Sequence, residues 1–288
     1  MMKKIIINAD DFGINTEVTN AIEQSIENGT ITSTTILANG KCLQEVKRIF
    51  DKHPEISYGI HLCLSEFDSL TKSEVLFRYG LTDENGMFRK QALWGYKTFP
   101  EDLKKAIFKE LCAQIELVQS YGIILDHADS HHLVHTTFED LQEVFIEVLK
   151  KYKIHKIRVG ETVKPIRIIF SNLKNKIKVE TEENKYEDDN MQDDTISKNI
   201  VYRFFHLMSV WQSSLLINNK YKRCFKTTDY FYSVHSYLNT NRLKDERIYE
   251  LMCHPGHPSI IYKSEMKKML NSKLYSNPEI ELITYKNI

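Results

Sequence analysis

Residues 4–13 read KIIINADDFG. Three successive isoleucines place apolar side chains on both faces of an extended chain, which suits a strand of a parallel sheet covered on both sides. The strand runs straight into two adjacent aspartates and a Phe-Gly turn. Working outward, helical spacing follows over 16–28, with Val18, Ala21, Ile22 and Ile26 on one face; Asn15 or Thr16 offers the N-cap and Gly29 the left-handed stop. Residues 31–38 (ITSTTILA) read as a strand, 43–52 as a helix and 55–64 (EISYGIHLCL) as a strand. An irregular stretch at 65–98 ends at Pro100, which opens a helix whose face is Leu103, Ile107, Leu111, Ile115 and Val118. A strand at 122–128, a helix at 138–150 and a strand at 154–159 complete this half. The alternation predicts an α/β fold with parallel strands and helical crossovers.

The rhythm weakens over 162–225. Glu180, Glu182, Glu183, Glu187, Asp188, Asp189, Asp193 and Asp194 form an acidic block that cannot bury a core, so it reads as a solvated loop or insertion between helical patches at 166–178 and 198–216. Strand-like sequence resumes at 227–234, 249–253 and 280–285. A single domain over 1–288, with an elaborated second half and a divergent insertion or cover around 162–225, is the simplest organisation. Lys+Arg and Asp+Glu are equal at 39 each, which argues against a nucleic-acid or anionic-membrane partner. The opening MMKKIIINADDFG has too short an apolar run for a secretory signal, and the reading is a cytoplasmic protein. Five irregularly spaced cysteines (Cys42, Cys63, Cys112, Cys224, Cys253) read as reduced thiols.

The chemistry gathers where the strands end. Strand 4–9 delivers Asp10 and Asp11; strand 55–60 delivers His61. Strand 122–128 delivers His127, Asp129, His131, His132 and His135, and strand 249–253 delivers His254 and His257. Sites form at the C-terminal ends of parallel strands because the connecting loops converge there. In an extended chain His127, Asp129, His131 and His135 would share one face, a stripe able to put one or two imidazoles on a metal with Asp129 orienting them from behind. Adjacent aspartates oppose each other in a regular strand, but a turn through Phe12-Gly13 can direct both to one cavity. His53, His155, His206 and His235 stand apart and read as structural or surface residues.

The strings NADDFG (8–13), TSTT (32–35), GIHL (59–62), DSHH-V-H (129–135) and MCHPG (252–256), in this order and spacing, resemble the YdjC-like carbohydrate deacetylases, the family of chitooligosaccharide deacetylase. The resemblance is dense over 4–62 and 123–146, returns at 227–256, and is weak over 165–222. It implies a distorted (β/α) barrel of the polysaccharide-deacetylase type that removes acetyl groups from N-acetylated carbohydrates with one divalent metal ion, Mg²⁺ or Zn²⁺. It further implies Asp11, His61 and His131 as metal ligands, Asp10 as general base and His254 as the acid. His127, Asp129 and His135 would support those ligands or touch substrate, and a homodimer is compatible with the neutral charge. Leu133 stands where the family commonly has a third histidine, which removes a contact that residue would make.

These residue types suit the reaction. An acetamide is a poor electrophile with a poor leaving group. Two histidines and a carboxylate leave positions open on a metal for water and the acetyl oxygen, and a carboxylate and an imidazole can move the protons. Competing readings are a phosphoesterase, a non-haem iron oxygenase sharing the same ligand types, and a degenerate sugar-binding protein. The paired base and acid argue against the last.

Overall fold

The computed structural model describes residues 2–160, 216–238 and 247–288. The first strand, β1 (Lys3–Phe12), runs three residues beyond the end expected at residue 9, taking in both aspartates, and is almost entirely buried. Ile5, Ile6 and Ile7 are each fully buried, which stabilises the fold by roughly 1.5–3 kcal/mol per side chain. There follow α1 (Thr16–Glu27), β2 (Ser33–Ile36), α2 (Leu43–Lys52), β3 (Ser57–Leu62) and α3 (Glu74–Arg78). Next come α4 (Glu101–Ser120), β4 (His127–Ser130), α5 (Val134–Thr137) and α6 (Gln142–Lys151). The last group is β5 (Tyr230–Ser233), α7 (Val234–Leu238), β6 (Ile248–Cys253), α8 (Ile260–Leu270) and β7 (Ile280–Leu282).

The helices follow their local codes. Asn15 caps α1 by accepting from the Val18 amide at 2.9 Å, and Gly29 takes the left-handed conformation at φ +64°. All five apolar positions read for the 100–120 helix are fully buried on α4. Two polar residues of the same helix, Glu110 and Gln114, are equally buried. Gln114 exchanges hydrogen bonds with the Cys63 backbone, and Glu110 accepts from the amides of Leu70 and Thr71, so α4 pins the loop that follows β3.

Every paired strand is parallel, in the order β4-β3-β2-β1-β6-β5, with β7 beside the N-terminal half of β1. The ring is completed by two isolated bridges: Ile157 pairs with Ala128 of β4, and Lys156 pairs with Lys226, just upstream of β5. The result is a distorted (β/α) barrel. The largest differences from the sequence reading lie at 122–128 and 154–159. The strand expected at 122–128 begins at His127, where Gly59 of β3 offers a partner; the preceding Ile123 and Leu125 are buried in the link from α4. Residues 154–159 contribute bridges rather than a full strand.

The acidic block, most of the expected insertion, the 166–178 patch and all but the last residue of the 198–216 patch lie outside the described residues, as does His206. The described end of that stretch, 216–224, is helical and sends fully buried Ile217 and Tyr221 into the core. All five cysteines are free thiols. Among the described residues no helix is long and apolar enough to cross a membrane.

Candidate active site

Register puts the four strand ends at one rim. His61 pairs with Asp129 across β3 and β4, and Ala9 pairs with Cys253 across β1 and β6, which sets His254 level with Asp10. At that level β1 is irregular. Its register against β2 shifts between Ala9 and Phe12, and Asp11 sits at φ +67°, a left-handed conformation that a non-glycine residue adopts at a cost. This break sends the two aspartates to different partners at one rim.

Asp11 faces two imidazoles. Its Oδ1 lies 3.3 Å from His61 Nε2 and 3.0 Å from His131 Nδ1, and those two nitrogens are 3.2 Å apart. Neither approach gives Oδ1 a hydrogen bond of good geometry, leaving a buried carboxylate oxygen without a partner among the described residues. One ligand atom from each of Asp11, His61 and His131 falls within 4.8 Å of the other two. The far nitrogens explain which lone pairs converge. His61 Nδ1–H donates to Asp129 Oδ1 at 2.6 Å, and His131 Nε2–H donates to Glu66 Oε2 at 3.2 Å. Each imidazole is thereby held in the tautomer whose free lone pair points at Asp11.

The field at this point favours a cation. Burial works against an imidazolium at His61, yet Asp129, Asp11 and Asp10 outweigh it and raise its pKa well above the ordinary value. Burial likewise opposes ionisation of Asp11, but the facing His131 and His61 hold its carboxyl well below the usual range. Two nitrogens, one anionic oxygen without a hydrogen bond and a negative surround fit a divalent metal ion, and Asp11, His61 and His131 would hold it.

Asp10 turns the other way, onto Arg158. The guanidinium forks onto it, Nη2 to Oδ1 at 2.6 Å and Nη1 to Oδ2 at 2.7 Å, while Asn8 Nδ2 donates to Oδ1 at 2.8 Å. The same guanidinium reaches Asp129 Oδ2 and Glu250 Oε1, each at 2.7 Å. Glu250 in turn accepts from the Tyr285 hydroxyl. Arg158 is fully buried; burial disfavours its charge, but Asp10, Asp129 and Glu250 more than restore it. Burial pushes the Glu250 carboxyl up despite Arg158 and Tyr285.

His254 is buried beneath the Tyr262 ring, with centroids 4.1 Å apart. Its Nδ1 lies 3.7 Å from Glu265 Oε2. Gly256 turns the following loop at φ +76°, where a Cβ would meet Ala21 Cβ at 2.7 Å and Glu17 O at 2.8 Å; the tight turn lays the Gly256 backbone against α1.

The expected histidine stripe ends at His131. His132 and Leu133 both adopt left-handed backbone, at φ +54° and +53°, so the chain stops being extended and His135 lands on α5. There its Nε2–H donates to the Arg158 carbonyl at 3.0 Å and its Nδ1 accepts from Ser130 Oγ at 2.6 Å. His127 does face the barrel interior, one layer below Asp129, but its partners are Asp126, Ser33 and the stacked Tyr285 ring, not the metal-type cluster. Asp129 alone of these three touches a candidate ligand. Of the histidines set aside, His53 closes α2 and pairs with Glu55.

Arg158, Glu250, Glu66 and Tyr285 are absent from the sequence reading. Arg158 and Glu250 had a usable signal, a lone charge between apolar neighbours in KIRV and YELM. Glu66, in the irregular stretch after β3, had none.

A family model described as YdjC-like protein matches residues 4–281. The carbohydrate deacetylase of Geobacillus stearothermophilus is 34% identical over 170 residues, 58% of this chain and 64% of that protein. The carbohydrate deacetylase of Clostridium beijerinckii is 28% identical over 288 residues, 99% of this chain and 93% of that one. The match thus spans less than two thirds of the first relative and nearly all of the second. A crystal structure from Enterococcus faecalis V583, of a protein provisionally named for cellobiose-phosphate cleavage, superposes with a TM-score of 0.62 at 21% identity, covering 100% of this chain and 99% of that one; it shares the fold. On the match across residues 4–281, the chain belongs to the YdjC-like protein family.

Proposed function

We propose that this chain is a metal-dependent hydrolase that removes an acetyl group from an N-acetylated sugar or small oligosaccharide. The observation that carries the reading is the pairing, at one rim, of the Asp11–His61–His131 triangle with a separate carboxylate, Asp10, clamped by Arg158. The carbohydrate deacetylases among its relatives support the substrate class. A divalent ion, Mg²⁺ or Zn²⁺, would supply Lewis acidity and a water of lowered pKa.

The chain's own residues handle the protons. Asp10 Oδ1 already accepts from Arg158 and Asn8, whereas among the described residues Oδ2 accepts only from Arg158. Oδ2 therefore keeps a lone pair with which to take the proton of the attacking water. Arg158 fixes the carboxylate plane so that this lone pair is aimed without reorganisation. His254, on the neighbouring strand at the same level, gives a proton to the departing amine nitrogen as the C–N bond breaks, leaving acetate and the free amino sugar. Asp129 keeps His61 in the ligating tautomer.

The test is acetate release from N,N′-diacetylchitobiose and a panel of N-acetylated sugars. Metal-loaded wild type is compared with EDTA-stripped protein and with Asp10→Asn reloaded with metal. The expected result is release by the loaded wild type alone, with Asp10→Asn retaining its metal. Full activity after EDTA stripping would remove the metal from the mechanism, and undiminished activity in Asp10→Asn would remove the base.

A further inference from the structure

Both imidazoles of the triangle carry a carboxylate on the far nitrogen, but the two carboxylates are built differently. Asp129 belongs to a strand and is buried. Glu66 comes from the loop after β3, with its side chain 27% exposed, and it spans two elements: Oε2 accepts from His131 Nε2–H at 3.2 Å while Oε1 pairs with Lys90 Nζ at 2.9 Å. The backbone beneath it is held firmly. Gln114 grips Cys63 on one side, Glu110 grips Leu70 and Thr71 on the other, and the Phe88 amide donates to the Phe67 carbonyl at 2.8 Å.

A second set of ligand-type atoms, Glu66, His131 and His132, also converges. A neutral imidazole has one free lone pair, so His131 cannot serve both sets at once. His132 Nδ1 is already 2.9 Å from Ser65 Oγ, and the carboxylate oxygen without a hydrogen bond belongs to Asp11. The ion therefore belongs with Asp11, and Glu66 lies behind His131, outside the triangle.

We propose that Glu66 is a positioning residue of the metal centre. By accepting Nε2–H it fixes the tautomer and ring angle of His131, and through Lys90 it ties the loop over 81–97 to the occupied centre. This rests on the metal reading given above. Carboxylates behind metal-bound histidines govern affinity by about 10–100-fold.

The test measures Zn²⁺ affinity by chelator competition, together with the visible spectrum of the Co²⁺ form, in wild type, Glu66→Gln and Glu66→Ala. Far-ultraviolet circular dichroism confirms folding of each. Glu66→Ala is expected to bind Zn²⁺ about 10–100-fold more weakly with an altered Co²⁺ spectrum. Glu66→Gln keeps an acceptor carbonyl on the same stem and is expected to recover most of the affinity, a rescue that a purely packing role would not require. Wild-type affinity and spectrum in Glu66→Ala would overturn this inference while leaving the metal reading intact. Absence of Zn²⁺ binding by wild type would overturn both.

Discussion

Replacing Arg158 by Met keeps most of the buried stem and deletes the guanidinium that faces Asp10, Asp129 and Glu250. Four nitrogen–oxygen contacts of 2.6–2.7 Å disappear. Hydrogen bonds to charged groups contribute about 1.5–3 kcal/mol each, but these share one guanidinium and do not add. Removing one partner of a buried ion pair costs about 3–5 kcal/mol, because the charges left behind are unpaired, and that is the loss expected at pH 7. The loss depends on pH with a definite sign. In wild type, burial opposes ionisation of Asp129 but Arg158 and His61 hold its folded pKa below the unfolded value, so its contribution is present above the unfolded pKa and fades as pH falls through the folded one. In the variant Glu250 and Asp129 lose the guanidinium that offsets burial, so burial pushes their carboxyls up, Glu250 furthest because it is already raised in the wild type. The unfolded chain then releases its protons first, and stability drops as pH rises, by up to about 1.4 kcal/mol per pH unit per group. The gap between the two proteins therefore widens from pH 5 to pH 7.5. Urea titrations at both pH values, with matched m-values, measure it. A gap below about 1 kcal/mol at pH 7.5, or one that does not change with pH, would refute the reasoning.

Three further outcomes are expected. Gly59→Ala places a methyl 2.6 Å from His127 Nε2, and that ring cannot yield because Asp126, Ser33 and Tyr285 hold it; a loss of about 1–3 kcal/mol in urea melts is expected, and wild-type stability would mean the ring is free to move. Burial drives the His135 pKa down to about 4, against the pull of the Arg158 carbonyl. The unfolded chain takes up the proton first, so about 3 kcal/mol of stability is lost as pH falls from 6.5 to 4, and His135→Gln should remove that slope from the titration. Zn²⁺ at a hundred times its dissociation constant should stabilise the fold by about 2.7 kcal/mol, seen as a rise in melting temperature that EDTA reverses; the same rise in a His61→Ala variant would place the ion elsewhere.

What could be read from the sequence follows from what is local. The Leu103–Val118 face of α4 obeys a period, Asn15 a cap and Gly29 a backbone preference, and each needs only its neighbours. Asp11, His61 and His131 were legible because each ends a strand, and strand ends of a parallel sheet share a rim. Arg158 was missed because its meaning lies in partners 92 and 148 positions away. His135 was misplaced because nothing in HHLVH announces two consecutive left-handed residues, a conformation ordinarily left to glycine or asparagine. Glu66 follows from the loop packing imposed by Glu110 and Gln114, whose burial inside a helix no periodicity reveals.

The closing of the ring through isolated bridges at Ala128–Ile157 and Lys156–Lys226 has a consequence for how such a chain diverges. Everything that sets the height of Asp11, His61 and His131 is written in the β1–β2–β3–β4 registers on one side of that seam. The described chain stops at residue 160 and resumes at 216, both beside the seam and away from those registers, and in general each doubling of a connecting loop costs only about 0.6 kcal/mol. The barrel can exchange the sequence that joins residues 160 and 216 while the geometry of Asp11, His61 and His131 is inherited unchanged. Selection can then act on that connection and on the geometry of the rim as two nearly independent traits.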